Sequence, residues 1–94
     1  MSPQSADSWS FLSNHGHILV FINNHPDAKV KEIAHEVGIT ERSALGILSD
    51  LEEAGYISVT KVGRRNSYTV NPRLRFRHPI ESKKPISALL KIFN

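Results

Sequence analysis

Residues 30–70 read VKEIAHEVGITERSALGILSDLEEAGYISVTKVGRRNSYTV, and the spacing of their apolar side chains changes partway along. Ile33, Ala34 and Val37 share one side of a short helix, and Gly38 is placed to end it in a left-handed turn. After the link Gly38-Ile39-Thr40, the Thr40 hydroxyl can accept a hydrogen bond from a free N–H of the next helix, residues 41–54. In that helix Ala44, Ile47, Leu48 and Leu51 recur at i, i+3, i+4 and i+7. From Tyr56 the period drops to two. Ile57 and Val59 point one way, Ser58 and Thr60 the other, and Tyr68 and Val70 resume the alternation beyond Gly63-Arg64-Arg65-Asn66. The expectation is two helices joined by a tight turn, then a hairpin over 56–70 with both arginines at its tip. Gly63 supplies backbone freedom there, and Asn66 is a residue that tolerates positive φ.

Upstream, Ser13 or Asn14 can cap a helix carrying Ile18, Leu19 and Ile22 at helical spacing, which Asn23-Asn24-His25-Pro26 ends. Residues 1–10 are polar and contain Pro3, which predicts a flexible segment, with Trp9 and Phe11 as anchors onto the domain. Downstream, Asn71-Pro72 closes the last strand and a basic connector leads to ISALLKIF, a final helix with Ile86, Leu89, Leu90 and Phe93 in one stripe. Three parts follow: a flexible segment over 1–10, a folded domain over 11–71, and the connector with its helix over 72–94.

A chain of 94 residues supports one core, since halving it would leave too little apolar surface to bury. With no cysteine, disulfides, cysteine-based zinc sites and thiol nucleophiles are excluded. The opening residues lack a basic segment followed by an apolar run, and the longest apolar stretch, ILVFI, is far too short to span a bilayer. The expectation is a soluble, cytoplasmic protein without a membrane partner. The net charge of +3 hides an asymmetry: residues 1–60 carry three basic against eight acidic side chains, a net of −5. Residues 61–84 carry eight basic side chains against Glu81 alone, a net of +7. A local excess of this size suits a polyanion-binding surface, although a charge run also serves simply as a solvated face.

Helix, short helix, tight turn, amphipathic helix and hairpin follow one another in this chain as they do in a winged helix-turn-helix. The stretch 30–70, with its EIA helix, glycine turn, second helix, LEEAGYI and hairpin, resembles the MarR-like and ArsR-like winged-helix transcriptional regulators over residues 11–71. The resemblance implies an α+β fold, a three-helix core with a β-hairpin wing, here followed by a C-terminal helix. It places Val30 in a brief first strand beside the wing, and puts Lys31 where relatives often have a capping Ser or Thr. It also implies a homodimer bound to duplex DNA, with helix 41–54 in the major groove and wing 56–70 on the minor groove or backbone. Thr40, Arg42 and Ser43 are then the DNA-facing end of the helix, Lys29 and Lys31 phosphate contacts, and Lys61, Arg64 and Arg65 the contacts of the wing. The bland role of Arg42 is an ion pair with an acidic neighbour on its helix. The stripe Ile86, Leu89, Leu90 and Phe93 must be covered either by its own domain, near Trp9, Phe11 and the first helix, or by the same stripe or the first helix of a second copy. Relatives pair through terminal helices, which makes these residues the preferred dimer interface, with the 79–85 connector carrying that helix away from its own core.

Behind the first turn of the recognition helix the sequence departs from its relatives. Positions 45, 46 and 49 should face DNA, and they hold Leu45, Gly46 and Ser49 where polar or basic side chains are common. Leu45 suits a thymine methyl and Gly46 a close approach, but a helical glycine costs about 1 kcal/mol against alanine. Asp50, Glu52 and Glu53 repel phosphate from the far half. These features favour a different use of the fold, as a protein-interaction module. Arg73, Arg75 and Arg77 alternate with Leu74, Phe76 and His78 in an extended segment that either follows DNA or only links the domain to its last helix.

The five histidines lack metal-site spacing, His15 and His17 pointing to nearly opposite sides of a helix, so neither metal nor cofactor is expected. No phosphate-binding glycine loop, activated serine or carboxylate pair points to catalysis. No residue pattern identifies a small-molecule effector.

Overall fold

The structure, a computed structural model, describes residues 9–94. The expected flexibility of 1–10 therefore falls almost entirely outside the described residues. The elements run α1 (Asn14–Asn24), α2 (Val30–Val37), α3 (Glu41–Glu53), β1 (Ile57–Val62), β2 (Arg65–Val70) and α4 (Ile86–Ile92). This is the α+β winged helix that the periodicity and the resemblance anticipate.

The starts of α1, α2 and α3 have local causes. The Ser13 hydroxyl accepts from the Gly16 N–H at 3.3 Å, and Thr40 accepts from the Ser43 N–H at 3.0 Å. At α2 the capping residue is Lys29, and a carboxylate oxygen of Glu32 accepts from its backbone N–H at 2.9 Å. Lys31 therefore lies inside the first turn and is not the cap. The end of α2 is fixed by Gly38 at φ 87°, which lets the N–H groups of Gly38 and Ile39 both reach the Ala34 carbonyl, at 2.8 and 3.0 Å.

The core gathers around α1, whose Ile18, Leu19 and Ile22 meet Ile33 and Ala34 of α2, Ala44, Leu48 and Leu51 of α3, and Ile57, Tyr68 and Val70 of the hairpin. Ile18, Ile22 and Ile33 are fully buried, so truncating any of them to alanine costs about 2–5 kcal/mol.

Three expectations are corrected. Val30 begins α2 and forms no strand; the sheet has two strands, and the upstream chain touches it through the Pro26 carbonyl, which accepts from the Tyr68 N–H at 2.9 Å. Trp9 and Phe11 do not anchor the start of the chain: they are 75% and 94% exposed and stack edge to face on each other, 5.0 Å between centroids. The connector does not carry the last helix away. Backbone N–H groups of Ile86 and Ser87 donate to Leu74 and Pro72, the Tyr56 hydroxyl donates to the Arg75 carbonyl, and Arg75 Nη1 donates to the Lys83 carbonyl at 2.9 Å. These bonds fold residues 72–85 back onto the base of the hairpin and set α4 against α1, where the Asn24 side chain donates to the Phe93 carbonyl at 2.9 Å. Ile86 and Leu89 are consequently buried in their own domain, Leu90 is half-buried, and Phe93 alone of the expected dimer stripe is largely open.

Candidate nucleic-acid interface

With Ala44, Leu48 and Leu51 committed to the core, the opposite side of α3 presents Arg42, Gly46, Ser49 and Glu53 in a row at i, i+4, i+7 and i+11, with Leu45 beside it. All are exposed. At the start of the helix the Thr40 hydroxyl accepts from the Ser43 N–H and donates to Ser43 Oγ at 3.0 Å. Thr40 is thereby spent as a cap, and Ser43 keeps a hydroxyl proton to offer outward.

The wing is an antiparallel pair in the register Ile57↔Val70, Val59↔Tyr68, Lys61↔Asn66 and Val62↔Arg65. Only Gly63 and Arg64 lie between the strands, and Gly63 takes φ 66° while no other residue type has positive φ, the pattern of a type II′ turn. Asn66 is therefore a strand residue and does not need a left-handed conformation. Arg65 opens β2, so the two arginines are not equivalent: Arg64 occupies the tip and Arg65 the first pair. Alternation puts Lys61 and Asn66 on the face that carries Ile57, Val59, Tyr68 and Val70 into the core, and Arg65 on the outer face with Ser58, Thr60, Ser67 and Thr69. Five residue steps of about 3.3 Å carry the tip roughly 17 Å beyond the base of the hairpin.

Among the described residues the one close contact between a basic and an acidic side chain is His15 Nε2 with Asp50 Oδ2, at 2.8 Å, tying α1 to α3. Lys29, Lys31, Arg42, Lys61, Arg64 and Arg65 have no acidic partner among the described residues, which removes the role of Arg42 as an intrahelical ion pair and leaves six cations for an outside anion. Arg75 is spent on the Lys83 carbonyl, and its neighbours Arg73 and Arg77 sit at the base of the hairpin, away from its tip. Sequence reasoning missed this use of Arg75, because a side chain closing its own connector leaves no periodic trace. Among the described residues no group of three His, Asp or Glu side chains could hold a metal ion, and no helix is long and apolar enough to cross a membrane.

Comparison with known proteins agrees with this geometry. No curated protein matches the chain. Among solved structures it is similar to MepR, a transcription regulator of the Staphylococcus aureus multidrug efflux pump MepA, at 20% identity and a TM-score of 0.60. That likeness takes in 86% of this chain and 56% of MepR, so the chain spans little more than half of the relative's length. The MarR family matches residues 13–62, from the cap of α1 to the end of β1, which is the MarR side of the resemblance read from the sequence and not the ArsR side. A match over more than half of the residues, spanning the three helices and the first strand of the wing, makes the chain a member of the MarR family.

Proposed function

We propose that the chain is a DNA-binding transcriptional regulator, a binding protein and not an enzyme, which works in the cytoplasm on duplex DNA. In this reading α3 enters the major groove through Arg42 and Ser43, Lys29 and Lys31 hold phosphates beside it, and the wing brings Lys61 and Arg64 to the neighbouring backbone or minor groove. Thr40 supports the site as the cap that orients Ser43. Arg65 faces the other way and is the weakest of the named contacts. The observation that carries the reading is the set of exposed cations on the helix-turn-helix and wing that no acidic side chain among the described residues neutralises.

The experiment is a salt titration of binding to random duplex DNA. Contacts from Lys29, Lys31, Arg42, Lys61 and Arg64 give a log–log slope of about −4.5 per domain, at −0.9 for each phosphate neutralised. A slope near zero supports the second reading, a protein-interaction module, which the exposed Leu45 and the acidic Asp50, Glu52 and Glu53 favour.

We also infer a homodimer. Since Ile86 and Leu89 are used internally, its contact falls to other exposed apolar side chains, and of these Trp9, Phe11 and Phe93 line one groove beside α1 while Ile92 lies next to Phe93 in sequence. A dimer that reads successive major-groove faces needs its two recognition helices about 34 Å apart.

A further inference from the structure

Gly46 sits in the middle of α3, and nothing in the fold asks for glycine there. A Cβ built at this position meets no atom within 4 Å, whereas the same construction at Gly16 lands 3.2 Å from Leu12. Gly46 also has ordinary helical backbone, unlike Gly38 or Gly63. Alanine would fit and would strengthen the helix. Beside it, Leu45 is 55% exposed in a helix whose other aliphatic side chains face inward. An exposed leucine is unremarkable alone. Next to a bare backbone on the outermost row, between Arg42 and Ser49, it forms the side wall of a shallow apolar step in the surface meant for the major groove.

We propose that this step reads thymine. The C5 methyl is the one apolar group that a base pair displays in the major groove, and a short aliphatic side chain packs on it most fully where the helix backbone comes close. Gly46 permits that approach, Leu45 supplies the methyl-to-methyl contact, and Arg42, one turn earlier, selects the adjoining guanine or phosphate. The target is thus a site with thymine at the centre of each half, read by burial of apolar surface and not by hydrogen bonds. The proposal rests on the placement of α3 in the major groove.

The test uses the intact chain with a duplex selected by it from a random pool, and the same duplex with every thymine replaced by uracil, which pairs identically and lacks only the methyl. The uracil duplex should bind about fourfold more weakly for each methyl contacted, the equivalent of burying one methyl-sized group, ~0.8 kcal/mol. Leu45→Ala should lose this discrimination and bind both duplexes alike. Gly46→Ala should melt at a higher temperature yet bind the thymine duplex at least about tenfold more weakly, a combination that a purely structural glycine does not give. Equal binding of the two duplexes by the wild type, or undiminished binding by a stabilised Gly46→Ala, overturns the proposal and leaves the DNA-binding reading intact. Failure to bind any duplex overturns both.

Discussion

The register of the wing makes the three basic residues near its tip unequal, and single substitutions measure the inequality. Lys61 shares the face that leads into the core, toward the helices; Arg64 is in the two-residue turn; Arg65, paired with Val62, is on the outer face. A duplex seated between α3 and the wing meets Lys61 and Arg64 and is turned away from Arg65. Each phosphate contact contributes about 0.9 to the log–log salt slope, so Lys61→Ala and Arg64→Ala should each flatten it by about 0.9 and Arg65→Ala by about 0. Between 50 and 200 mM salt, removing one contact should reduce the overall loss of affinity about 3.5-fold. Fluorescence anisotropy with a labelled random duplex at four or five salt concentrations resolves this difference, and circular dichroism verifies that each variant is folded. If Arg65→Ala flattens the slope as much as Lys61→Ala, phosphates lie on both faces and the seating is wrong. If none of the three variants changes it, the wing does not touch DNA.

At the start of α3, Thr40→Val should cost about 1 kcal/mol through the lost cap, lowering the melting temperature by about 4–8 °C, while Ser43→Ala should leave melting nearly unchanged and weaken DNA binding; thermal scans and binding assays separate the two. Arg75→Ala, which removes the bonds to the Ser82 and Lys83 carbonyls, should destabilise the connector by ~1 kcal/mol and leave the salt slope of DNA binding as it is; a flattened slope would show that Arg75 meets phosphate after all. In sedimentation at micromolar concentration the intact chain should run as a dimer and Phe93→Glu as a monomer; a monomeric wild type refutes the pairing, and a dimeric Phe93→Glu places it elsewhere.

What the sequence disclosed and what it withheld divide along a physical line. The helix stripes, the change of period at Tyr56, the Thr40 cap and the Gly38 stop all express contacts between residues a few positions apart, and each is legible as spacing. The return of the connector is held by Tyr56 to Arg75, Ile86 to Leu74 and Ser87 to Pro72, bonds to backbone carbonyls across twelve to nineteen residues that require no particular side-chain pattern at the accepting end. An apolar stripe such as that of α4 states that it must be covered, and is silent about whether its own core or a second copy does so. The same limit applies to the wing: two adjacent arginines read as one feature until the register assigns them to turn and strand.

The wing is fastened unevenly along its length. Near its base Tyr56, Ile57, Tyr68 and Val70 are buried and the Tyr68 N–H is bonded to Pro26, whereas Lys61, Val62 and Arg65 have solvent around them and only their cross-strand partners to hold them. Amide hydrogens should therefore exchange in a gradient, slowest at Tyr68, where release requires global unfolding, and fastest around Gly63, where fraying of the last pairs suffices. In the DNA-binding reading proposed above, such an element works as a hinged arm on a fixed mount: α3, held by the core, sets where the protein docks, and the less firmly fastened outer wing adjusts to the width of groove it meets there.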